Sequence, residues 1–529
     1  MNNQRGIHIV QILLGVLMGV FLTLTVVRYR ENRHRLDTQY KNWRKLNLIL
    51  EVLEQNYVDT LDVNSMTDAA VVAALASLDP HSIYLPPVNL EESEEELSGN
   101  FDGIGIQFNV PNDTAIVLEV IAGGPSERAG LQPGDRLLKV DDLVIAGVNY
   151  PQDSMVRHIK GPSGTKVTIT VARGREIIPF EITRGRIPTH SVDAYFMMDD
   201  GVGYLRLAKF SRTTFEEFQT AALELKANGM NHLILDLRDN NGGYMDQALL
   251  ICNQFLNRGD TLVYIEGLHR RKEVYRCDGR GALRETGITV LISENSASAS
   301  EIVAGAIQDN DRGSVVGRRS FGKGLVQEPF YFNDGSGLRI TVARYYTPSG
   351  RCIQKPYVDE YDYAYDIYRR YADGEVFSAD SIKVDTTDVH HTRGGRTVYG
   401  GGGIIPDVFV PVDTTRATQF FIDCNRKTTQ MRFASWMFDR YRNRLLPIDS
   451  YAEMDRFFAS VNLPDAFRDY ALRTDGLRAG DAEWRETEPY LLPQLKALIA
   501  RYSRLGENAF YKYYLPVDNT VEVALETIN

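Results

Sequence analysis

The chain has 529 residues, with 59 basic and 70 acidic side chains that give a net charge of -11. Its hydrophobic content of 43% and charged content of 24% exclude a wholly disordered chain, a collagen-like chain and a polytopic membrane protein. The length predicts about three or four domains, and the acidic balance argues against nucleic acid as a partner. The four cysteines form no C-x-x-C pair, so neither a zinc ribbon nor a disulfide-dense scaffold is expected.

An uncharged, mostly apolar run occupies residues 9–27. As a helix it would be about 28 Å long, which matches the hydrocarbon thickness of a bilayer. Four arginines follow between residues 28 and 35, and no small-residue cleavage site is visible, so residues 1–35 are predicted to be an uncleaved single-pass membrane anchor. The positive-inside rule would keep the body of the chain in the cytoplasm. The function argued below favours export, so the orientation stays open at this stage.

Two regions of different pattern follow the anchor. Residues 36–97 are predicted to be mostly helical, because apolar residues recur at helical spacing and Asp79-Pro80 ends the last run. Residues 98–187 contain short alternating segments separated by turn signals such as Pro133-Gly134-Asp135. This pattern predicts a small β-rich domain.

Strands and helices alternate from residue 188 to 411. Val202–Leu207 and His232–Leu237 are predicted strands, and the segment between them is a predicted amphipathic helix. This alternation predicts an α/β fold whose mostly parallel sheet is covered by helices. Residues 355–400 are rich in Tyr, Asp and Gly and are interpreted as an insertion, while residues 412–529 are predicted to be helical.

The first candidate for chemistry is the segment Asn295–Glu301, which has the sequence NSASASE and lies between an apolar strand and an apolar helix. Small residues at such a junction let the backbone turn tightly and let a substrate approach. A hydroxyl there lies beside a helix N-terminus, whose free N–H groups favour negative charge. This setting suits a serine nucleophile whose attack creates an oxyanion. A helix N-cap built from serines is the structural alternative.

The second candidate is Phe321–Gln327, which has the sequence FGKGLVQ. Lys323 has apolar neighbours, and loss of solvation there would lower its pKa toward a neutral, proton-accepting amine. A Ser–Lys pair would then replace a Ser–His–Asp triad. Gln327 faces the same way as Lys323 in either a helix or a strand, so its amide could hold the lysine amine. A glycine-rich turn with an exposed lysine is the structural alternative.

These two segments together resemble the C-terminal processing peptidases, also called tail-specific proteases. That family carries a serine in an S-A-S-A-S-E stretch, a lysine 25 residues later in a G-K-G motif, and a glutamine four residues beyond. Ser298, Lys323 and Gln327 have this spacing, which selects Ser298 over the serines at 296 and 300. The resemblance implies a Ser–Lys serine peptidase with a crotonase-like or ClpP-like core split by an inserted domain.

Further motifs extend the resemblance over about residues 40–412. They are Leu78–Ser82 (LDPHS), Asp236–Gly243 (DLRDNNGG, with Asn241 where proline is usual), Tyr345–Arg351 (YYTPSGR) and Ile405–Asp407 (IPD). The resemblance implies an oxyanion hole made by the amides of Ala299 and of Gly242 or Gly243. The sequence does not choose between the two glycines. His81 in the LDPHS motif is interpreted as structural.

The β-rich segment resembles a PDZ domain. Gly103-Ile104-Gly105-Ile106 stands where PDZ domains carry their carboxylate-binding loop, and Gly124–Asp135 is similar to a second PDZ signature. The resemblance implies that backbone N–H groups of this loop bind a peptide's terminal carboxylate. The peptide would then add as a strand beside Gly105–Val110.

The sequence thus predicts a membrane-anchored serine endopeptidase that selects proteins by apolar C-terminal tails. Its body is expected outside the cytoplasm at the inner membrane, and a homo-oligomer is among the expected assemblies. No metal or organic cofactor is expected, because the pair His390-His391 lacks zinc-ligand spacing. A non-catalytic PDZ scaffold for peptides is the alternative function. A carrier of hydrophobic ligands is a third, and the PDZ insert argues against it.

Overall fold

The structure is a computed structural model that describes residues 44–111, 113–198, 201–357, 363–415 and 417–528. The anchor predicted at residues 9–27 lies outside these ranges. Among the described residues, no helix combines the length and the apolar character needed to cross a membrane. The chain divides into two units, Met1–Leu78 and Asp79–Asn529.

The described part of the first unit is helical. Residues 44–56 form α1, and Val63–Ala76 form α2. The carboxylate of Asp62 accepts hydrogen bonds from the first amides of α2, which satisfies donors that have no partner within the helix. The helical prediction for this stretch is therefore confirmed.

The β-rich segment predicted at residues 98–187 is present and forms a six-stranded sheet with the order β3-β4-β5-β7-β8, in which β6 pairs with β5. Strand β3 lies at one edge of this sheet, and β2 pairs with β9 where the chain enters and leaves the segment. The elements are β1 (Ile83–Leu85), α3 (Pro87–Ser98), β2 (Asn100–Gly103), β3 (Ile106–Asn109), β4 (Ala115–Val120), α4 (Pro125–Ala129), β5 (Arg136–Val140), β6 (Leu143–Val144), α5 (Gln152–Ile159), β7 (Lys166–Arg173), β8 (Glu176–Thr183) and β9 (Gly185–Pro188).

The main sheet has six strands in the order β10-β11-β12-β15-β16-β21. Only β10 is antiparallel to its neighbour, so the prediction of a mostly parallel sheet is confirmed. Helices α6, α7 and α8 cover one face and share a buried apolar core with it. The elements are β10 (Val192–Met197), β11 (Val202–Leu207), α6 (Thr214–Ala227), β12 (His232–Asp236), α7 (Met245–Phe255), β15 (Gly287–Ile292), α8 (Ala299–Asp309), β16 (Ser314–Gly317) and β21 (Val408–Phe409).

A second, antiparallel sheet carries the predicted lysine segment. Its order is β1-β18-β13-β14, and β17 also pairs with β18. The interpreted insertion contributes α9 and the hairpin β19–β20. The elements are β13 (Thr261–Gly267), β14 (Arg270–Arg276), β17 (Leu325–Tyr331), β18 (Gly337–Tyr346), α9 (Asp366–Ala372), β19 (Val389–His391) and β20 (Thr397–Tyr399).

The C-terminal stretch is helical, as predicted, and packs in two places. Its first six helices contribute to one core, which also includes Leu118 of β4. Its last residues instead cover the second face of the main sheet, where Leu515 and Val521 pack with Tyr204 and Ile234. The helices are α10 (Gln419–Arg426), α11 (Thr429–Leu445), α12 (Tyr451–Ala459), α13 (Leu463–Asp475), α14 (Asp481–Ala500), α15 (Gly506–Tyr514) and α16 (Asn519–Ile528).

Candidate active site

Ser298 stands immediately before α8, with φ 55° and ψ -112°. A positive φ is rare for a residue with a side chain, and such strain persists where the surrounding structure enforces it, often at functional sites. Ser298 is half-buried, whereas Ser296 and Ser300 are fully buried. The hydroxyl of Ser296 donates to the carbonyl of Leu237 at 2.7 Å, and that of Ser300 to Asn240 at 2.8 Å. Of the three serines, Ser298 is therefore the one that a substrate can reach.

The two candidate oxyanion glycines lie beside this serine. A Cβ built on Gly242 would lie 2.8 Å from Cβ of Ser298 and 2.9 Å from the amide nitrogen of Ala299. The N–H of Gly242 already donates to Oδ1 of Asn240 at 2.9 Å. The carbonyl of Gly242 accepts from the amide of Phe210, so the trans peptide directs the N–H of Gly243 to the opposite side. Since the amide of Gly242 is engaged within its own turn, Gly243 is the remaining candidate of the two that the sequence left open.

Glu301 joins the serine and lysine segments. Its fully buried carboxylate accepts hydrogen bonds from the backbone amides of Ser298 and Lys323, both at 2.9 Å and both on Oε2. Oε1 accepts from the amide of Gly322 at 2.8 Å and the hydroxyl of Ser320 at 2.5 Å. Burial raises the pKa of Glu301, and these bonds oppose the rise. Glu301 is not among the residues predicted from the sequence. The signal that could have identified it is a capping box, in which a Glu follows a helix-capping serine by three residues.

A tyrosine makes a second connection between the two segments. The hydroxyl of Tyr345 lies 2.5 Å from the carbonyl oxygen of Lys323 and 3.2 Å from that of Ser298. Tyr345 is fully buried on β18, and burial raises the pKa of its hydroxyl well above the usual value, so it remains a neutral donor. Glu301 therefore binds the backbone amides of Ser298 and Lys323, and Tyr345 binds their backbone carbonyls.

Lys323 lies just before β17 in a partly buried position. Burial lowers the pKa of its amine, the positive charge of Arg339 lowers it further, and the carboxylates of Glu301 and Asp79 oppose the shift. The direction is the one expected from the apolar neighbours of this lysine in the sequence. A lower pKa increases the fraction of neutral amine, which is the form that can accept a proton.

Gln327 is held by a turn that precedes the β-rich segment. Its Nε2 donates to the backbone carbonyl of His81, which leaves Oε1 as the end of the amide that can accept from the lysine amine. The carboxylate of Asp79 fixes this turn by accepting from the amides of His81 at 2.8 Å and Ser82 at 2.9 Å. The amide of Gln327 is therefore oriented by the chain itself.

The ring of His81 also lies in this neighbourhood. Its Nε2 is 2.5 Å from the hydroxyl of Tyr363. Burial lowers the pKa of His81 to about 4, and the positive charge of Lys323 contributes to the shift. His81 was interpreted as structural, and the neutral ring has a local packing role here. The structure adds that this packing lies next to the candidate lysine.

The interpreted insertion braces the lysine segment. The guanidinium of Arg370 on α9 donates to the backbone carbonyls of Ser320 at 2.8 Å and Phe321 at 3.2 Å. The ammonium of Lys355 lies 3.8 Å from the centre of the Phe321 ring and 3.1 Å from the carboxylate of Asp366. Sequence reasoning assigned no role to this region, because its contacts join positions about 50 residues apart.

The predicted carboxylate-binding loop, Gly103-Ile104-Gly105-Ile106, leads into the edge strand β3. Gly105 has φ 78°, a left-handed conformation that glycine adopts without strain. Ile104 is almost fully buried in the core of the β-rich segment, together with Met155 and Ile159 of α5. Strand β3 thus lies at a sheet edge, directly after the predicted carboxylate-binding loop.

Within the described ranges, no group of three or more His, Cys, Asp or Glu side chains is placed to hold a metal ion. Nε2 of His390 instead lies 2.7 Å from the carboxylate of Asp388.

The buried carboxylate of Glu301 supports a stability prediction. Glu301→Gln is expected to lower the free energy of unfolding by about 3 kcal/mol. The NH₂ group of glutamine cannot accept hydrogen bonds, so the buried donors that faced one carboxylate oxygen lose their acceptor. Urea denaturation measures this change. Glu216→Gln on the exposed side of α6 is the matched control and is expected to change stability by about 0.5 kcal/mol or less. Equal stability of the two variants would contradict the central role given to Glu301.

Comparisons with known proteins identify the family of the chain. The pattern of Peptidase family S41 matches residues 201–363, and that of a PDZ domain matches residues 116–173. The chain is 32% identical over 363 residues to a "Probable CtpA-like serine protease" of Staphylococcus aureus (strain COL), covering 66% of this chain and 72% of that protein. It is 35% identical over 344 residues to a "Carboxy-terminal-processing protease" of Bartonella bacilliformis, covering 64% of this chain and 78% of that protein.

Among solved structures, a photosystem II D1 C-terminal processing protease is similar to 69% of this chain and 88% of its own, with 26% identity and a TM-score of 0.36. A peptide-bound PDZ domain of a carboxy-terminal protease from Vibrio cholerae is similar to 17% of this chain and 97% of its own, with 29% identity and a TM-score of 0.16. The sequence relationships establish the identity that the motifs indicated: this chain belongs to the carboxy-terminal-processing serine proteases of peptidase family S41 and contains a PDZ domain.

Proposed function

We propose that the protein is a membrane-anchored endopeptidase that cleaves substrates with a Ser298–Lys323 dyad. One observation carries this proposal: a single buried oxygen of Glu301 accepts hydrogen bonds from the amides of both residues. That oxygen holds a strained, accessible serine close to a lysine whose pKa is lowered by burial. Both features support an activated serine nucleophile with the lysine as its base.

The proposed reaction begins with the neutral amine of Lys323, which accepts the proton of Ser298 as the hydroxyl attacks the scissile carbonyl. The amides of Ala299 and Gly243 stabilise the oxyanion, since the amide of Gly242 is already engaged. Lys323 then gives its proton to the departing amine, and an acyl-enzyme remains. A water molecule activated by the same lysine releases the new C-terminus.

Gln327 is proposed to orient the lysine. Its Nε2 is bound to the carbonyl of His81, so its Oε1 is available to accept a hydrogen bond from the amine of Lys323. Replacing it by alanine would leave the lysine its pKa shift but remove one constraint on its direction. Its role is therefore secondary to that of the two dyad members.

The PDZ domain is proposed to select substrates by their C-terminal tails. The loop Gly103–Ile106 would bind the terminal carboxylate, and the chain of the substrate would pair with β3 at the edge of the sheet. The partly buried apolar side chain of Ile106, next to this loop, favours a small apolar terminal residue. Proteins and peptides with apolar C-termini are the proposed partners.

The proposed location is the inner membrane, with the catalytic body outside the cytoplasm. The apolar run at residues 9–27 supports the membrane location. The proposed function, cleavage of exported proteins, supports a body outside the cytoplasm. The arginines after the run would predict the opposite orientation, and the proposal gives them less weight.

A cleavage assay on the full-length chain tests the proposal. An unfolded substrate protein that ends in apolar residues is expected to be cut, and the same protein with an amidated C-terminus is expected to show a KM about tenfold higher at similar kcat. A readout of cleaved product by mass spectrometry separates the two constants. Binding without cleavage would favour the scaffold alternative, and an unchanged KM after amidation would rule out carboxylate capture.

A further inference from the structure

Arg238 is held between two carboxylates at the start of the turn 238–243, called the oxyanion turn here because it ends with the two candidate oxyanion glycines. Its Nε and Nη2 donate to the two oxygens of Asp236 at 2.9 and 2.6 Å. Its Nη1 donates to both oxygens of Asp518 at 2.9 and 2.8 Å. The side chains of Arg238 and Asp518 are only 13% and 8% exposed, so water weakens this pair little. Asp518 lies 280 residues later in the chain, in the C-terminal helical stretch.

Asp518 is itself fixed by the last helix. Its Oδ1 accepts hydrogen bonds from the amides of Thr520 at 3.0 Å and Val521 at 3.2 Å, at the start of α16. This is the arrangement of a helix N-cap. The flanking Leu515 and Val521 are buried on the second face of the main sheet. The carboxylate thus reaches Arg238 from a rigid, buried support.

The turn that starts at Arg238 is fastened to the serine segment. The carbonyl of Asn240 accepts from the amide of Ala297 at 3.0 Å and the hydroxyl of Ser300 at 2.8 Å. The side chain of the same asparagine donates to the carbonyl of Leu207 at 2.7 Å and accepts from the amide of Gly242. A displacement at the base of the turn would therefore pass to Gly243, three residues beyond the asparagine.

We propose that Asp518 is a positioning residue that holds the oxyanion turn in place through Arg238. The proposal rests on the proposed function and extends it, because it makes the C-terminal end of the chain part of the catalytic apparatus. Asp518 touches neither Ser298 nor the glycines, so its effect is expected on transition-state stabilisation rather than on substrate binding. An oxyanion donor acts only where charge develops, and small displacements of it lower the rate.

The charge balance around Arg238 supports the same role. Asp236 is fully buried and also accepts from the hydroxyl of Tyr204 at 2.7 Å and from Arg206 at 3.3 Å. Burial raises the pKa of Asp236, but Arg238 and Arg206 outweigh this effect and hold the pKa below its usual value, so the carboxylate is ionised. Two guanidinium groups therefore converge on Asp236. Arg206 also lies 3.6 Å from Asp193, and Asp518 is the second carboxylate that pairs with Arg238.

Asp518→Asn is the informative variant. Asparagine caps a helix as well as aspartate does and has the same shape, so α16 keeps its start while Arg238 loses a charged partner. We expect kcat to fall about 10- to 100-fold with little change in KM. The affinity of a peptide boronate, which mimics the tetrahedral intermediate, is expected to fall by a similar factor. Rates are expressed per active site titrated with an irreversible serine reagent, so a loss of folded protein does not affect them.

Glu526→Gln, on the exposed side of the same helix, is the matched control and is expected to behave as wild type. The inference is wrong if wild type cleaves in a Ser298-dependent manner and Asp518→Asn matches this control. It is also wrong if only KM changes. Absence of cleavage by wild type, or full cleavage by Ser298→Ala, would instead refute the proposed function, so the two failures are distinguishable.

Discussion

Ser298→Ala is expected to lower kcat/KM by about 10⁴-fold or more, because removal of the nucleophile leaves only binding and oxyanion stabilisation. The substrate should still bind, since the PDZ groove is unchanged. A continuous assay with a fluorogenic peptide measures the loss. Thermal unfolding is expected to change little, because alanine keeps the Cβ atom and therefore leaves the backbone strain at this position as it is.

The neighbouring serines are the matched controls for this result. Ser296→Ala and Ser300→Ala each remove a buried hydroxyl that donates to a backbone carbonyl, so they are expected to cost about 1–3 kcal/mol of stability. Their kcat should fall about tenfold or less, with Ser300→Ala the larger of the two because it loosens the turn at Asn240. A loss of 10⁴-fold in either control, with an active Ser298→Ala, would reassign the nucleophile.

Lys323→Ala and Lys323→Arg are both expected to lower kcat by about 10³-fold or more. An arginine keeps the positive charge but stays protonated, so it cannot act as a base. For wild type, kcat/KM should rise with pH as Lys323 loses its proton. The midpoint is expected below the ordinary lysine value of about 10.4, because burial and Arg339 lower this pKa. An active Lys323→Arg enzyme would exclude the general-base role.

The position of the pH midpoint can be tested from a neighbouring charge. Arg339→Met removes a positive charge that lowers the pKa of Lys323, so the pKa should rise and the whole kcat/KM profile should move to higher pH. The expected displacement is about half a pH unit, the size of a partly screened charge effect. Asp79→Asn removes an opposing charge and should move the profile to lower pH. Displacements of the same sign in both variants would show that another group controls the profile.

Much of this site could be predicted from the sequence, because its chemistry depends on short local patterns. The spacing of Ser298, Lys323 and Gln327 and the glycines before β3 are read directly along the chain. The strands of the main sheet were also predictable, since buried parallel strands are short continuous apolar runs. The sequence predicts that Gln327 faces the same way as Lys323, but not what orients its amide. The backbone carbonyl that accepts from this amide belongs to His81, which lies 246 residues earlier.

The sequence by itself indicated the family and predicted Ser298 as nucleophile and Lys323 as base, because these are encoded in motifs a few residues long. Only the tertiary structure decided that the amide of Gly242 is engaged by Asn240, that Glu301 joins the serine and lysine segments, and that Asp518 reaches Arg238. The physical reason is that each of these depends on hydrogen bonds between residues far apart in the chain. Such contacts are set by how helices and sheets pack, and no local spacing of residues encodes them.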